Sequence, residues 1–272
     1  MSETFFTAEK ICAEYGTGFA LKDISFAVEK GSLTALLGTN GSGKTTLLRT
    51  ICQQIKHSGT CRLHCGSDEA SNLLILERLS GRQLARQISY IPQRNGISVE
   101  MAVLDVVLMG YNPVLGLLER PSSAQRRLAS DALRQLGLAG FENQNFLCLS
   151  EGQKQLVILA RTLVEDSRLL LLDKPDSALD IPNRYGIMNT ISRMVKGQSR
   201  AGILSLHDPM LALEFCDQLV LIKKGHCIGS IFPAADSIER MEHALGQIYG
   251  PVTLAECAGK DGRMRRILFF NH

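Results

Sequence analysis

The stretch GTNGSGKTT, residues 38–46, decides the fold, because it joins an apolar run to a helix through a glycine-rich turn. It ends the run LTALLG and opens the helical stretch KTTLLRTICQQI. Glycines let successive backbone N–H groups turn toward an anion, and the helix N-terminus adds its positive dipole end. A strand, a loop and a helix in this order are the structural context in which the pattern G-x-x-x-x-G-K-T binds phosphate. The stretch therefore predicts a nucleotide-binding site.

Further apolar runs predict the strands that accompany this one. Helix-like stretches such as EGQKQLVILARTLVE lie between them. Buried strands that alternate with helices are typical of a parallel sheet that is covered on both faces. The predicted strands span residues 33–38, 88–91, 169–173, 202–207 and 218–225.

Three other regions depart from this alternation. Residues 11–28 indicate antiparallel strands, whereas residues 99–145 show helical spacing with no strand between the helices. Near the C-terminus, VTLAECAGKDGRMRRILFF predicts a hairpin that turns at Lys260, Asp261 and Gly262. The predicted fold class is α/β, a P-loop NTPase core with a mostly parallel sheet, an antiparallel β subdomain and an inserted α-helical subdomain.

Composition limits the class of protein. The 272 residues carry a formal net charge of +3 and the cations are scattered, which argues against a nucleic-acid partner. No apolar run approaches the roughly 20 residues of a membrane helix, and the N-terminus MSETFFTAEK lacks the features of a signal peptide. The eight cysteines lie far apart, and we expect them to be reduced in a cytosolic protein.

One group of cysteines and histidines could be read as metal ligands. His57, Cys61, His64 and Cys65 lie close together in HSGTCRLHC. However, Cys61, Leu63 and Cys65 alternate as residues on one face of a strand do, and no second Cys/His pair follows at zinc-finger spacing. The pattern therefore favours strand packing over a metal site.

The phosphate-binding stretch has a partner in LLLLDK, residues 169–174. Lys44 is expected to reach the β- and γ-phosphates of a nucleotide, and the Thr45 hydroxyl is expected to bind Mg²⁺. Asp173, at the end of a buried strand, would meet the same Mg²⁺ through water. Together these residues predict ATP and Mg²⁺ as the bound cofactors.

The order of the remaining motifs resembles that of the ATP-binding cassette ATPases. LSEGQ, residues 149–153, is similar to the family signature LSGGQ, and SALD, residues 177–180, is similar to the loop at the dimer interface. Gln93 in YIPQ matches the loop that senses Mg²⁺ and the attacking water. His207 in SLHDP matches the switch histidine, and Tyr15 matches the aromatic residue that stacks on adenine.

The resemblance implies that two chains enclose two ATP molecules head to tail. Ser150 and the backbone of Glu151 and Gly152 would donate to the γ-phosphate held by the other copy. Such an arrangement is two-fold symmetric, either as a homodimer or as a pseudo-symmetric heterodimer with a second cassette. Glu151 replaces the first glycine of the usual pair and is expected to point away from the phosphates.

Single residues also have plainer interpretations. Tyr15 could pack on a strand, Gln93 could cap a turn after Pro92, and His207 could be a core histidine. Their places in the motif order favour the functional roles.

The resemblance also implies the residues that would contact the nucleotide. The expected catalytic residues are Lys44, Gln93, His207 and, as a degenerate general-base position, Lys174. The expected metal residues are Thr45, Gln93 and Asp173. The expected nucleotide-binding residues are Tyr15, Gly38, Thr39, Asn40, Gly41, Ser42, Gly43, Lys44, Thr45, Thr46, Gln93, Ser150, Glu151, Gly152, Gln153, Asp173, Asp180 and His207.

Lys174 departs from the family pattern. The family places a glutamate here, which orients and deprotonates the attacking water, whereas a lysine is cationic at neutral pH. General-base assistance is worth about 10²–10⁴ in rate. We therefore expect retained ATP binding with slow hydrolysis, unless Asp176 or a partner cassette with an intact glutamate supplies the base.

The helical region resembles one branch of the family. VLMGYNPVLGLLER and QIYGPVTLAE are similar to segments of importers for iron–siderophore, haem and cobalamin complexes. The implied partners are membrane permease subunits and, indirectly, a substrate-binding protein, and the implied location is the cytoplasmic face of the membrane. The alternatives are an ATP-gated regulatory subunit with little hydrolysis and a family member that acts on nucleic acid.

We expect a single nucleotide-binding domain over residues 1–272. Its ATP-binding core is predicted at residues 1–94 and 161–232, and its helical signature part at residues 95–160. A helix and a β-hairpin are predicted to form a C-terminal extension at residues 233–272.

Overall fold

The computed structural model describes residues 3–15, 19–64, 73–93, 96–116, 118–177, 179–196, 200–260, 262 and 264–271. Within these ranges the chain forms three β-sheets and eight α-helices. The helices are α1 (Lys44–Ile51), α2 (Gly81–Gln87), α3 (Val103–Leu108), α4 (Ser123–Gln135), α5 (Glu151–Glu165), α6 (Ile181–Lys196), α7 (Pro209–Phe215) and α8 (Ile238–Tyr249).

A six-stranded sheet forms the centre of the fold. Its strands are β3 (Leu33–Leu37), β6 (Ile88–Ile91), β7 (Leu169–Asp173), β8 (Ala201–Ser205), β9 (Gln218–Lys223) and β10 (His226–Ile231). They lie in the order β10-β9-β3-β8-β7-β6, and only the pair of β9 and β10 is antiparallel. Every residue of β3, β7 and β8 is buried, which explains their unbroken apolar sequences. The mostly parallel core is confirmed.

The functional motifs meet because β3, β7 and β8 are parallel neighbours. Their carboxyl ends lie side by side, with Asp173 opposite Ser205 in the register of β7 and β8. The strands are shorter than predicted at this end, since β3 stops at Leu37 and β8 stops at Ser205. Gly38 and His207 therefore belong to the loops beyond the strands, at the edge where α/β sheets bind ligands.

A separate antiparallel sheet covers the N-terminal part of the core. Its strands are β1 (Thr4–Tyr15), β2 (Phe19–Glu29), β4 (His57–His64) and β5 (Leu73–Ile75), in the order β2-β1-β4-β5. Phe6 and Leu63 of this sheet share a buried cluster with Leu48 of α1 and Leu171 of β7. The predicted antiparallel subdomain is confirmed, and this cluster attaches it to the helix that follows the phosphate loop.

Helices without a paired strand occupy the described residues from 96 to 160. Helices α3, α4 and α5 pack on one another, and an isolated bridge between Ala102 and Asn145 closes the segment. The inserted helical subdomain is therefore confirmed as part of the fold. The division of the chain at residue 160 stays a proposal, and α5 runs unbroken across that position.

The C-terminal segment pairs β11 (Val252–Ala258) with β12 (Met264–Phe270) as an antiparallel hairpin after α8. The predicted turn includes Asp261, which lies outside the described residues. The seven cysteines in the described ranges are all free thiols. Among the described residues, none of the helices combines the length and apolarity needed to span a membrane.

Candidate functional site

The loop at residues 38–43 has a backbone that requires glycine at positions 38, 41 and 43. A Cβ at Gly38 would lie 2.1 Å from the carbonyl oxygen of Ile222, and Gly41 and Gly43 have φ angles of 76° and 111°. In the described part of the chain, no side chain caps the N-terminus of α1, and its first turn carries no acidic residue. The helix therefore offers its positive end to an anion from outside.

Lys44 fills the centre of this loop. Its ammonium donates to the carbonyl oxygens of Gly38, at 2.7 Å, and Thr39, at 3.0 Å. Burial, and secondly repulsion by Lys174, lower the pKa of Lys44 from 10.5 to about 8, although Asp173 acts in the opposite direction. A phosphate in the loop would supply the negative charge that this buried ammonium lacks.

Thr45 and Asp173 meet beside the loop. The Thr45 hydroxyl donates to Asp173 Oδ1 at 2.9 Å, and the Ser205 hydroxyl donates to the same oxygen at 2.7 Å. Mg²⁺ binds oxygen ligands and keeps several of its waters, so the Thr45 hydroxyl could bind the ion directly and the Asp173 carboxylate could hold one of those waters. The adjacent Thr45 and Asp173 oxygens therefore fit Mg²⁺ in their chemistry.

Ser205 is a site residue that the sequence analysis missed. It is fully buried, and besides holding Asp173 it accepts the backbone N–H of Lys174 at 2.9 Å. One hydroxyl thus fixes both the carboxylate and the start of the next loop. A serine at the end of a buried strand was the only available signal.

Lys174 lies where the predicted general base would lie. Its backbone has a φ of 51°, a left-handed conformation that costs a non-glycine residue about 1–2 kcal/mol. Its half-buried side chain lines a cavity of about 340 Å³, the phosphate-loop cavity. The residues that line the cavity are Asn40, Gly41, Ser42, Gly43, Lys44, Thr45, Thr46, Lys174 and His207.

His207 also lines the phosphate-loop cavity. It is half-buried, and burial, followed by repulsion from Lys44 and Lys174, lowers the pKa of its imidazole. The ring is therefore neutral at neutral pH, and it can donate one hydrogen bond without adding a third full charge. Two lysines and a histidine around one loop favour a highly charged anion.

Asp176 is the residue of this chain that we expected could replace the missing base. It is 6% exposed, and it is absent from the described lining of the phosphate-loop cavity. Burial raises the pKa of this carboxyl, Asp208 adds to the rise, and Arg184 and Lys174 oppose it. A raised pKa brings a carboxyl closer to the range of a general base, and the role of Asp176 as an alternative base stays a prediction.

The signature residues occupy a different surface. Ser150 caps α5, because its hydroxyl accepts the N–H of Gln153 at 3.3 Å while Gln153 Oε1 accepts the N–H of Ser150 at 2.9 Å. The Glu151 carboxylate accepts from Lys154 Nζ at 2.8 Å. The Glu151 side chain therefore points along its own helix, where Lys154 offsets its charge.

Gln93 lies with these residues rather than in the phosphate-loop cavity. A second cavity of about 550 Å³, the Gln93 cavity, is lined by Gln93, Phe146, Glu151, Lys154 and Ser177 among other residues. Gln93 and Thr45, two of the three expected metal residues, thus line different cavities.

Asp180 and Tyr15 are two further residues that were expected at the nucleotide site. Asp180 is exposed, and its Oδ1 accepts the N–H of Asn183 at 3.1 Å, where α6 begins. The adenine-stacking role expected of Tyr15 rests on a side chain outside the described part of the structure.

Comparison with known proteins gives concordant matches. The family model described as ABC transporter matches residues 21–177. An iron chelatin transport ATP-binding protein of Helicobacter pylori is 34% identical over 236 residues, which cover 87% of this chain and 89% of that protein. The hemin import ATP-binding protein HmuV of a Jannaschia species is 35% identical over 253 residues, which cover 90% and 87%.

A solved structure has the same fold. It comes from an inward-facing metal-chelate type ABC transporter, with a TM-score of 0.82 at 22% identity, and the match covers 98% of both chains.

Proposed function

Because the chain belongs to the ABC transporter family, we propose that it is the ATP-binding, energy-coupling subunit of a membrane importer for a metal chelate. The substrate class, an iron–siderophore, haem, cobalamin or similar complex, is supported by the names of its relatives, which transport iron chelatin and hemin. The single observation that carries the proposal is the basic phosphate-loop cavity, with Lys44, Lys174 and His207 around one glycine-rich loop.

ATP and Mg²⁺ are the proposed cofactors. Lys44 and the backbone of residues 39–46 would hold the phosphates, while Thr45 and Asp173 would hold Mg²⁺, which neutralises charge on the phosphate oxygens. Ser205 keeps the Asp173 carboxylate aimed at Thr45, as the hydrogen bonds of 2.7 and 2.9 Å indicate. His207 would donate to the γ-phosphate.

Lys174 makes slow hydrolysis part of the proposal. Its side chain lines the phosphate-loop cavity, where a cation attracts phosphate but cannot accept a proton from water. Its left-handed backbone and the hydrogen bond to Ser205 hold it at this position. We infer that the chain binds ATP firmly and needs another group for fast turnover.

The partners are proposed from the separation of the two half-sites. Ser150 begins α5 on a surface apart from the phosphate-loop cavity, so a second copy or a second cassette would bring its own Ser150 to the phosphates. Permease subunits would insert a short helix near the Gln93 cavity. We infer that the chain acts at the cytoplasmic face of the membrane, with a substrate-binding protein as an indirect partner and without a nucleic-acid partner.

A second candidate function is an ATP-gated subunit that dimerises and hydrolyses little, and Lys174 is the observation that favours it. Steady-state ATPase activity separates the two, because an ATP-gated subunit would bind ATP yet show no more activity than Lys44→Ala, whereas an energy-coupling subunit would exceed it. The parent chain, alone and with its permease, is compared with Lys174→Glu as the restored reference and Lys44→Ala as the inactive one. We expect Lys174→Glu to exceed the parent by about 10²–10⁴-fold, with similar ATP affinity.

Two results would revise this proposal. Equal rates for the parent and Lys174→Glu would mean that another group acts as the base. A parent that fails to bind ATP would contradict the proposed function itself.

A further inference from the structure

Three side chains with metal-binding atoms meet on the antiparallel sheet. His57 and Cys61 belong to β4, and Glu77 belongs to the 3₁₀ turn Leu76–Arg78. The imidazole nitrogen, the thiol sulfur and a carboxylate oxygen all lie within 4.8 Å of one another. Glu77 is distant in sequence from the His/Cys stretch and enters the group only through the fold.

The contacts of His57 leave its Nε2 atom facing Glu77, where a cation would bind. Nδ1 lies 3.1 Å from the carbonyl oxygen of Ile55, and Nε2 lies 3.1 Å from Glu77 Oε1. A neutral imidazole carries one ring proton, and the carbonyl requires it on Nδ1. The Nε2 lone pair then faces a carboxylate oxygen, and a metal ion between the two atoms would be bound by both.

The Nδ1 contact has the form that orients metal-binding histidines. Such histidines commonly donate their other ring N–H to a backbone carbonyl or a carboxylate, which fixes the ring and its tautomer. The His57 side chain is 3% exposed and has little freedom to turn away. Nε2 is thus presented to Glu77 in a fixed direction.

Cys61 supplies the third donor. Its residue is fully buried, and its backbone N–H donates to Glu77 Oε1 at 2.7 Å, which draws the carboxylate toward the thiol. Burial, and secondly the Glu77 charge, raise the pKa of this thiol. The thiol is therefore protonated unless a cation compensates its charge, and a thiolate with one carboxylate balances a divalent ion.

We propose that His57 Nε2, Cys61 Sγ and the Glu77 carboxylate form a binding site for a divalent transition-metal cation of the Zn²⁺ type. Nitrogen and oxygen ligands at about 2.0–2.1 Å from a tetrahedral zinc are about 3.3 Å apart, close to the observed 3.1 Å. Binding forms a sulfur–metal bond, and the thiol proton passes to water. The Glu77 side chain, 26% exposed, leaves the fourth position to solvent.

The site is independent of the phosphate-loop cavity, whose described lining includes none of the three residues. The experiment titrates the full-length chain with Co²⁺, whose thiolate complexes show a charge-transfer band, and then displaces Co²⁺ with Zn²⁺. We expect one Co²⁺ per chain and a band that grows as pH rises, because the thiol must lose its proton.

Matched variants assign the band. Cys61→Ser should abolish it, and Glu77→Gln, which keeps the shape of the carboxylate, should weaken Co²⁺ binding at least about tenfold. Cys257→Ser, at an exposed thiol on β11, should leave the band unchanged. ATP binding, equal in all variants, reports that each chain is folded.

The inference is overturned if the folded parent gives no charge-transfer band. It is also overturned if the band survives in Cys61→Ser, or if Glu77→Gln binds Co²⁺ as tightly as the parent.

Discussion

At the scale of single residues, the positive charges of Lys44 and Lys174 repel each other at the phosphate loop. Lys44 is 4% exposed, and its contacts are carbonyl oxygens rather than carboxylates. Lys174 adds a second positive charge at the same cavity, which is why it contributes to the lowered pKa of both Lys44 and His207. A bound triphosphate would offset this repulsion between the two lysines.

A pH dependence follows from Lys44. Between about pH 8 and 10.5 the unfolded chain binds more protons than the folded one at this lysine, so its contribution to stability rises with pH over that window. A bound triphosphate restores the charged form. We expect ATP binding near pH 8 to take up protons, measured by calorimetry in buffers of different ionisation enthalpy.

Lys174→Met provides the control for this prediction. Removing the neighbouring cation raises the Lys44 pKa toward its ordinary value, so proton uptake at the same pH should fall. An uptake that is unchanged in Lys174→Met would contradict the proposed repulsion between the two lysines.

At the scale of elements, the helices α2, α4 and α5 begin with the same capping device, and α4 and α5 carry it in different surroundings. Ser122 caps α4 together with Gln125, just as Ser150 caps α5 together with Gln153, and both form reciprocal side-chain and backbone hydrogen bonds. In α4 the device serves the helix alone. In α5 it also fixes the direction of a serine that we propose contacts a second chain's nucleotide.

This pair gives a matched test of the signature. Ser150→Ala and Ser122→Ala should each lower the free energy of unfolding by about 1 kcal/mol through loss of the cap. Only Ser150→Ala should weaken ATP-dependent dimerisation, which sedimentation velocity in the presence of ATP would measure. If Ser122→Ala weakens dimerisation equally, the effect of Ser150→Ala is one of stability alone.

Sequence patterns predicted elements better than contacts between elements. The continuous apolar run of β7 could be recognised because both faces of the strand are buried. The role of Ser205 could not, since its partner Asp173 lies 32 residues away and their pairing depends on the register of two strands. The left-handed backbone of Lys174 was equally hidden, because lysine has no preference for positive φ.

At the scale of the whole molecule, we propose that each chain carries two halves of an ATP site on separate surfaces. The described lining of the phosphate-loop cavity includes none of the signature residues. The described lining of the Gln93 cavity, which includes Glu151 at the start of α5, contains no residue of the phosphate loop. This division was predicted from the resemblance of the motifs. The Glu151–Lys154 pair, in contrast, could have been predicted from the spacing of three residues on one helix, but it was not predicted.

A mixing experiment tests this division. If each site combines Lys44 of one copy with Ser150 of the other, a Lys44→Ala chain mixed with a Ser150→Ala chain regains one intact site per mixed dimer. We expect ATP-dependent association in the mixture, measured by energy transfer between differently labelled chains, and little in either variant alone. Absence of association in the mixture would argue against the two-fold arrangement.

The unbroken course of α5 has a consequence for which sequence changes the protein can accept. Its 15 residues span about 22 Å, and only three residues separate its last residue, Glu165, from the first residue of β7, Leu169. One inserted or deleted residue in the helix would rotate Ser150 by about 100° relative to β7 and shift it by about 1.5 Å. Substitutions on the exposed face of α5 are therefore far better tolerated than any change in its length.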